Sequence, residues 1–155
     1  ISLRVAGVAA SVGLRTSSPE HFDRLTEENI PLVYFDRVPK ETVCSTIVLD
    51  NGKAMKQVVD RLVELGKKKI AYISYDGYTQ IFEDRLKAYF QSVREAGLDD
   101  NPMGLVCDPE LTTLSPSIDL LSESLLNLLL REIESGENIK EDIVLPLELQ
   151  ERGSI

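Results

Sequence analysis

Asp36, Asp50 and Arg85 are the side chains of this 155-residue chain whose types and positions suit the capture of a polar small molecule. Asp36, with Arg37, ends the apolar run Asn29–Phe35, and Asp50 closes Ser45–Leu49. Arg85 lies just beyond the loop Asp76–Gln80, which contains Thr79. A carboxylate accepts hydrogen bonds from ligand hydroxyls, whereas a guanidinium offers a planar fork of donors suited to vicinal hydroxyls or a carboxylate. Thr79 would add a hydroxyl at the same rim.

Each group also has a plainer reading. Asp36 can serve as a turn acid holding backbone N–H groups. Arg37 is expected to pair with a nearby acid. Arg85 can bridge to Glu83 or Asp84 on its own helix, and Asp50 is expected to cap the helix that starts at Asn51. His21, the sole histidine, lies in the polar stretch Ser17–Glu28, where a surface role is expected. Cys44 and Cys107 stand far apart with no partner motif, which reads as packing in a reducing compartment.

The elements that must position these groups alternate. Asn29–Phe35 is apolar enough for a strand buried on both faces, with Pro31 early in it, where a missing N–H costs little. Ser45–Leu49 is a second strand. After Asp50-Asn51-Gly52, the residues Ala54, Met55, Val58, Val59, Leu62 and Val63 recur at helical spacing until Gly66. Ile70–Tyr75 reads as a strand, and Phe82, Leu86, Tyr89, Phe90 and Val93 as the stripe of a helix ending at Gly97. Such alternation predicts an α/β fold built on a doubly wound parallel sheet. In sheets of that kind ligands bind at the carboxyl ends of the strands, where Asp36 and Asp50 fall. Leu-rich Ser117–Ser135 is apolar around so much of its circumference that burial on more than one side is expected. Ile143–Leu149, with Pro146, reads as an extended edge or hinge segment.

Charge and motif content exclude several classes. With 26 acidic against 17 basic residues, a net charge of −9 opposes direct contact with nucleic acid, which needs a basic face. Lys67-Lys68-Lys69 reads as a solvated turn. Ile118–Leu130, the most apolar stretch, is interrupted by Asp119, Glu123 and Asn127 and is too short to span a bilayer. The sequence carries no dinucleotide-binding glycine pattern, Walker A loop, nucleophile elbow or zinc-protease motif. Neither catalysis, a metal nor a cofactor is therefore expected.

In order and interval, "NIPLVYFDRVP", "VLDNGKAMKQVVDRLVELGKKKIAYIS" and "EDRLKAYFQSVREAGL" resemble the effector-binding core of the lactose-repressor (LacI/GalR) family of bacterial transcription regulators. "RVAGVAAS" upstream and "PELTTL" followed by "IVLPLELQERGSI" downstream fit the same pattern. Lys67 stands where the family commonly has histidine, with no functional consequence. The resemblance implies a periplasmic-binding-protein-like amino-terminal lobe plus the family's C-terminal segment. The family's second subdomain would fall between "RLKAY…AGL" and "PELTT", where only Asp99–Asp108 stands. The expectation is thus of residues 1–100 as part of the amino-terminal lobe, 108–155 as the closing helix and strand, a break near 101–108, and a second lobe largely missing.

By the same resemblance, Asp36 and Arg85 match effector-contacting positions, Thr79 lies at their rim, and Tyr75 and Tyr78 can stack on a sugar ring. The implied protein is cytoplasmic and homodimeric, is switched by a sugar or sugar phosphate, and touches DNA only through an N-terminal helix-turn-helix outside this chain. A sugar-binding protein of a periplasmic transporter is the alternative on the same architecture.

Overall fold

A computed structural model describes residues 5–13, 16, 18, 20–72, 80–97, 113–136 and 139–151. The chain divides into two compact units. The first comprises Ile1–Leu49, Gly77–Gln80 and Ile118–Leu145; the second comprises Asp50–Asp76, Ile81–Ser117 and Pro146–Ile155.

The first unit contains the predicted parallel sheet. β1 (Val8–Ala10), β2 (Leu32–Phe35), β3 (Ser45–Leu49) and β5 (Asp142–Leu145) lie in the order β1-β2-β3-β5, each neighbouring pair parallel. The register sets Val33 opposite Ser45 and Ile47 opposite Ile143. Because successive strand residues point to opposite faces, Val33, Ser45 and Ile47 share one face, covered by helix α4 (Ile118–Ser135). Leu32 and Tyr34 face the other way and join Ala10, Val12, Leu25, Val38 and Cys44 in a buried cluster. Leu25 belongs to the short helix α1 (Asp23–Glu27), entered through a 3₁₀ turn at Glu20–Phe22. Both faces of the sheet are therefore covered, as its apolar strands require. Removing a fully buried valine or leucine of this kind from water contributes about 1.5–3 kcal/mol.

Helix α4 buries Leu128 and packs Leu129 and Ile133 so closely over Gly7 that a Cβ there would lie 2.9 Å from Leu129 Cδ1. Its exposed side carries more apolar surface than expected: Leu126 is 57% and Leu130 43% exposed. In the chain taken alone the helix packs along one face rather than several.

The second unit begins with α2 (Asn51–Glu64), whose stripe buries Ala54, Met55 and Val59. Its carboxyl end closes in a Schellman turn: Gly66, at φ +74°, donates to the Val63 carbonyl at 2.9 Å and Lys67 to that of Leu62 at 3.0 Å. α3 (Gln80–Glu95) lays Tyr89 and Val93 against Met55, Val59 and Ile70 to form the unit's core. Two antiparallel strands, β4 (Thr113–Pro116) and β6 (Leu147–Gln150), complete it, with α2 packed on β6. The extended reading of Ile143–Leu149 holds: β5 and β6 flank Pro146. The predicted strand Ile70–Tyr75 differs. Ile70–Tyr72 is irregular, tied to α3 by the Tyr89 hydroxyl, which donates to the Ile70 carbonyl at 2.8 Å, and by stacking of Tyr72 on Tyr89 at 5.2 Å. The rest of that segment lies outside the described residues.

Candidate functional site

At the carboxyl edge of the first unit's sheet, β2 gives way to Asp36 and Arg37. Asp36 adopts φ +56°, a left-handed conformation uncommon for a residue with a side chain. The geometry is held by its N–H, which donates to the Ile47 carbonyl at 3.0 Å, and by Val12 N–H, which donates to the Arg37 carbonyl at 2.9 Å. The ends of β1, β2 and β3 are thereby locked together around this turn. Arg37 pairs with an acid as expected: its Nε lies 3.7 Å from Asp36 Oδ2 and 3.5 Å from Ser11 Oγ. Both side chains are about one-third exposed, so the pair is worth well under about 1 kcal/mol and leaves the Asp36 carboxylate free to accept from a ligand. Non-glycine residues held at positive φ cluster at binding sites, which adds weight to a functional role for Asp36.

In the second unit Asp50 is the N-cap of α2, its carboxylate accepting the Lys53 N–H at 2.9 Å. This is the plainer of its two readings. Arg85, in the second turn of α3, is half-buried, and its Nε donates to Asn51 Oδ1 at 2.7 Å. The plainer alternative, a bridge to Glu83 or Asp84, does not form: Glu83 meets Lys87 Nζ at 3.6 Å, and among the described residues Arg85 makes no ion pair. Asn51 itself is buried. One edge of the guanidinium is thus fixed by a neutral amide, and its terminal nitrogens remain available as a fork. Asn51 is the partner of Arg85 that sequence reasoning did not single out. The signal for it was slight, since an asparagine at the first position of a helix reads as part of the cap.

Thr79, Tyr75, Tyr78 and Cys107 lie outside the described residues. His21 is exposed and rests on Phe22 with ring centroids 4.1 Å apart, a surface role. Cys44 is buried. Each unit also holds a cavity of its own. One of about 310 Å³ is lined by Phe22, Thr26, Tyr34 and Cys44, and one of about 530 Å³ by Gln57, Arg61 and Leu147. Neither includes Asp36 or Arg85. No helix among the described residues is long and apolar enough to cross a membrane.

A parallel sheet covered on both faces by helices defines the class as α/β. No protein-family profile and no curated protein matches the sequence. Solved structures do. The transcriptional regulator CelR in complex with cellobiose superposes with a TM-score of 0.76 at 19% identity, over 96% of this chain and 65% of that one. A periplasmic binding protein/LacI transcriptional regulator from Alkaliphilus metalliredigens, complexed with D-xylulofuranose, gives 0.74 at 19% identity over 96% and 77%. A regulatory protein of the LacI family from Chloroflexus aggregans gives 0.75 at 17% identity over 97% and 76%. The chain therefore has the periplasmic-binding-protein-like fold of LacI-type regulator cores, spanning about two-thirds to three-quarters of their length.

Proposed function

We propose that this chain is the effector-sensing part of a bacterial LacI-type transcriptional regulator, a binding module rather than an enzyme. The observation that carries this reading is the Asn51-anchored Arg85, set on the fold shared with regulators solved with cellobiose and D-xylulofuranose. The proposed effector is a sugar or a sugar phosphate, with Asp36 accepting from hydroxyls and Arg85 donating to them, and Thr79 as a third contact. Effector binding shifts a cytoplasmic homodimer between DNA-binding and non-binding states, which requires only that the two states hold the effector with different affinity. Contact with DNA is assigned to a helix-turn-helix outside these residues, in keeping with the net charge of −9.

The alternative, a sugar-binding protein serving a transporter, has the same fold, and one of the similar structures carries both descriptions. The coding sequence upstream of Ile1 separates the two. A helix-turn-helix there supports the regulator, and a signal peptide supports the transport protein. Sugar binding itself is tested by calorimetry against a panel of pentoses, disaccharides and their phosphates. Failure of every member to bind would remove the sensor reading.

A further inference from the structure

Among the described residues of the first unit, Glu132 on α4 is the charged side chain found in the buried core, only 1% exposed. Its Oε1 is hydrogen-bonded to Ser45 Oγ at the start of β3. The same hydroxyl is bonded to the Ile139 carbonyl and accepts the Glu141 N–H at 3.0 Å. Ser45 has a single proton to donate, yet faces two oxygens, those of Glu132 and Ile139. An ionised Glu132 would compete with the Ile139 carbonyl for that proton and leave one of them against a bare lone pair. A protonated Glu132 resolves the count: Glu132 donates to Ser45, Ser45 donates to Ile139, and Ser45 also accepts from Glu141. Glu132 Oε2 is buried without a partner among the described residues. As the carbonyl oxygen of a neutral acid it costs far less in that position than as half of a carboxylate.

Among the described residues, the nearby charges are engaged elsewhere. Arg131, next to it on α4, is bound to Glu141 Oε2 at 2.6 Å, and Lys140 donates to the Thr42 carbonyl at 3.1 Å. From β3 the facing group is the neutral hydroxyl of Ser45, and just before β1 Gly7 meets the apolar side chains of Leu129 and Ile133.

We propose that Glu132 is a protonated latch: a neutral carboxylic acid that joins the last turns of α4 to β3 and to the segment leading into β5, and that loosens this junction when it ionises. Burial pushes the Glu132 carboxyl up, a shift that the Ser45 hydrogen bond opposes and Arg131 offsets further. A folded-state value above the unfolded one means that the latch contributes fully below the unfolded glutamate range and is lost as pH rises through the folded value. The junction should therefore weaken toward alkaline pH, opposite to the behaviour of a salt-bridged carboxylate.

The test compares wild type with Glu132→Gln, whose amide N–H₂ can donate to Ser45 at any pH. Thermal unfolding is followed from pH 5 to pH 8. Relative to the glutamine variant, the wild-type Tm should fall by roughly 5 °C or more across this interval. The infrared C=O stretch of a protonated carboxylic acid should persist in folded wild type above the ordinary glutamate range and be missing from the variant. Parallel pH curves for the two proteins overturn the latch. If the variant does not fold, the wild-type spectrum decides: a band that persists above the ordinary glutamate range supports the proposal, and its loss within that range overturns it.

Discussion

At the residue scale, the two groups assigned to the effector differ in how far their positions constrain them. Arg85→Ala should weaken binding of the cognate sugar by about 2–4 kcal/mol, since a polar partner is left unpaired in a desolvated site. Asp36→Ala should weaken it similarly, but alanine at φ +56° also costs the fold about 1–2 kcal/mol, because only glycine, asparagine and aspartate occupy that conformation readily. Asp36→Asn keeps the backbone and so isolates the charge: calorimetry should show the binding loss and a chemical melt should not. Asn51→Ala releases the guanidinium and should lower affinity by about 1 kcal/mol. Equal affinity in that variant would reduce Asn51 to a packing residue. Asp50→Ala should cost about 1 kcal/mol of stability and no affinity, as the loss of a helix cap does. Asp36, Asp50 and Arg37 were legible in the sequence because each sits where a periodic pattern breaks. Asn51 and Glu132 were not, because their importance depends on partners 34 and 87 positions away.

At the element scale, the sequence marked β2, β3, α2, α3 and α4 by period and punctuation, and the glycines that stop α2 and α3 do so in left-handed turns at Gly66 and Gly97. Two readings gave way to tertiary contacts. Ile70–Tyr72 has the apolar content of a strand, yet its burial comes from Tyr89 and the rest of the second core. The leucines of α4 predicted burial on more than one side, and a count of leucines cannot say how many faces find a neighbour within the chain taken alone. Leu128, fully buried, and Leu126, 57% exposed, differ only in the side of the helix they occupy. Leu128→Ala should cost about 2–5 kcal/mol through the cavity it opens, whereas Leu126→Gln should stay within about 0.5 kcal/mol in the isolated chain. Urea midpoints of the two variants measure the contrast.

At the scale of the whole molecule, the acidic balance separates sensing from DNA contact. These 155 residues with a net charge of −9 should give no shift of duplex DNA in a gel at physiological salt, and a shift would place the DNA-binding surface here after all. The larger constraint is the interleaving of the two units along the sequence. The first unit needs β1, β2 and β3 from the first third of the chain but receives α4 and β5 only from Ile118–Leu145, and the second is closed by β6, which ends at Gln150. During synthesis, then, β3 emerges from the ribosome with one edge unpaired and one apolar face bare, and remains so until nearly a hundred further residues have been added. The first unit cannot close before β5 has been made, nor the second before β6. Cooperative folding therefore has to wait for Asp142–Gln150, and until then the bare edge and face of β3 are open to wrong partners.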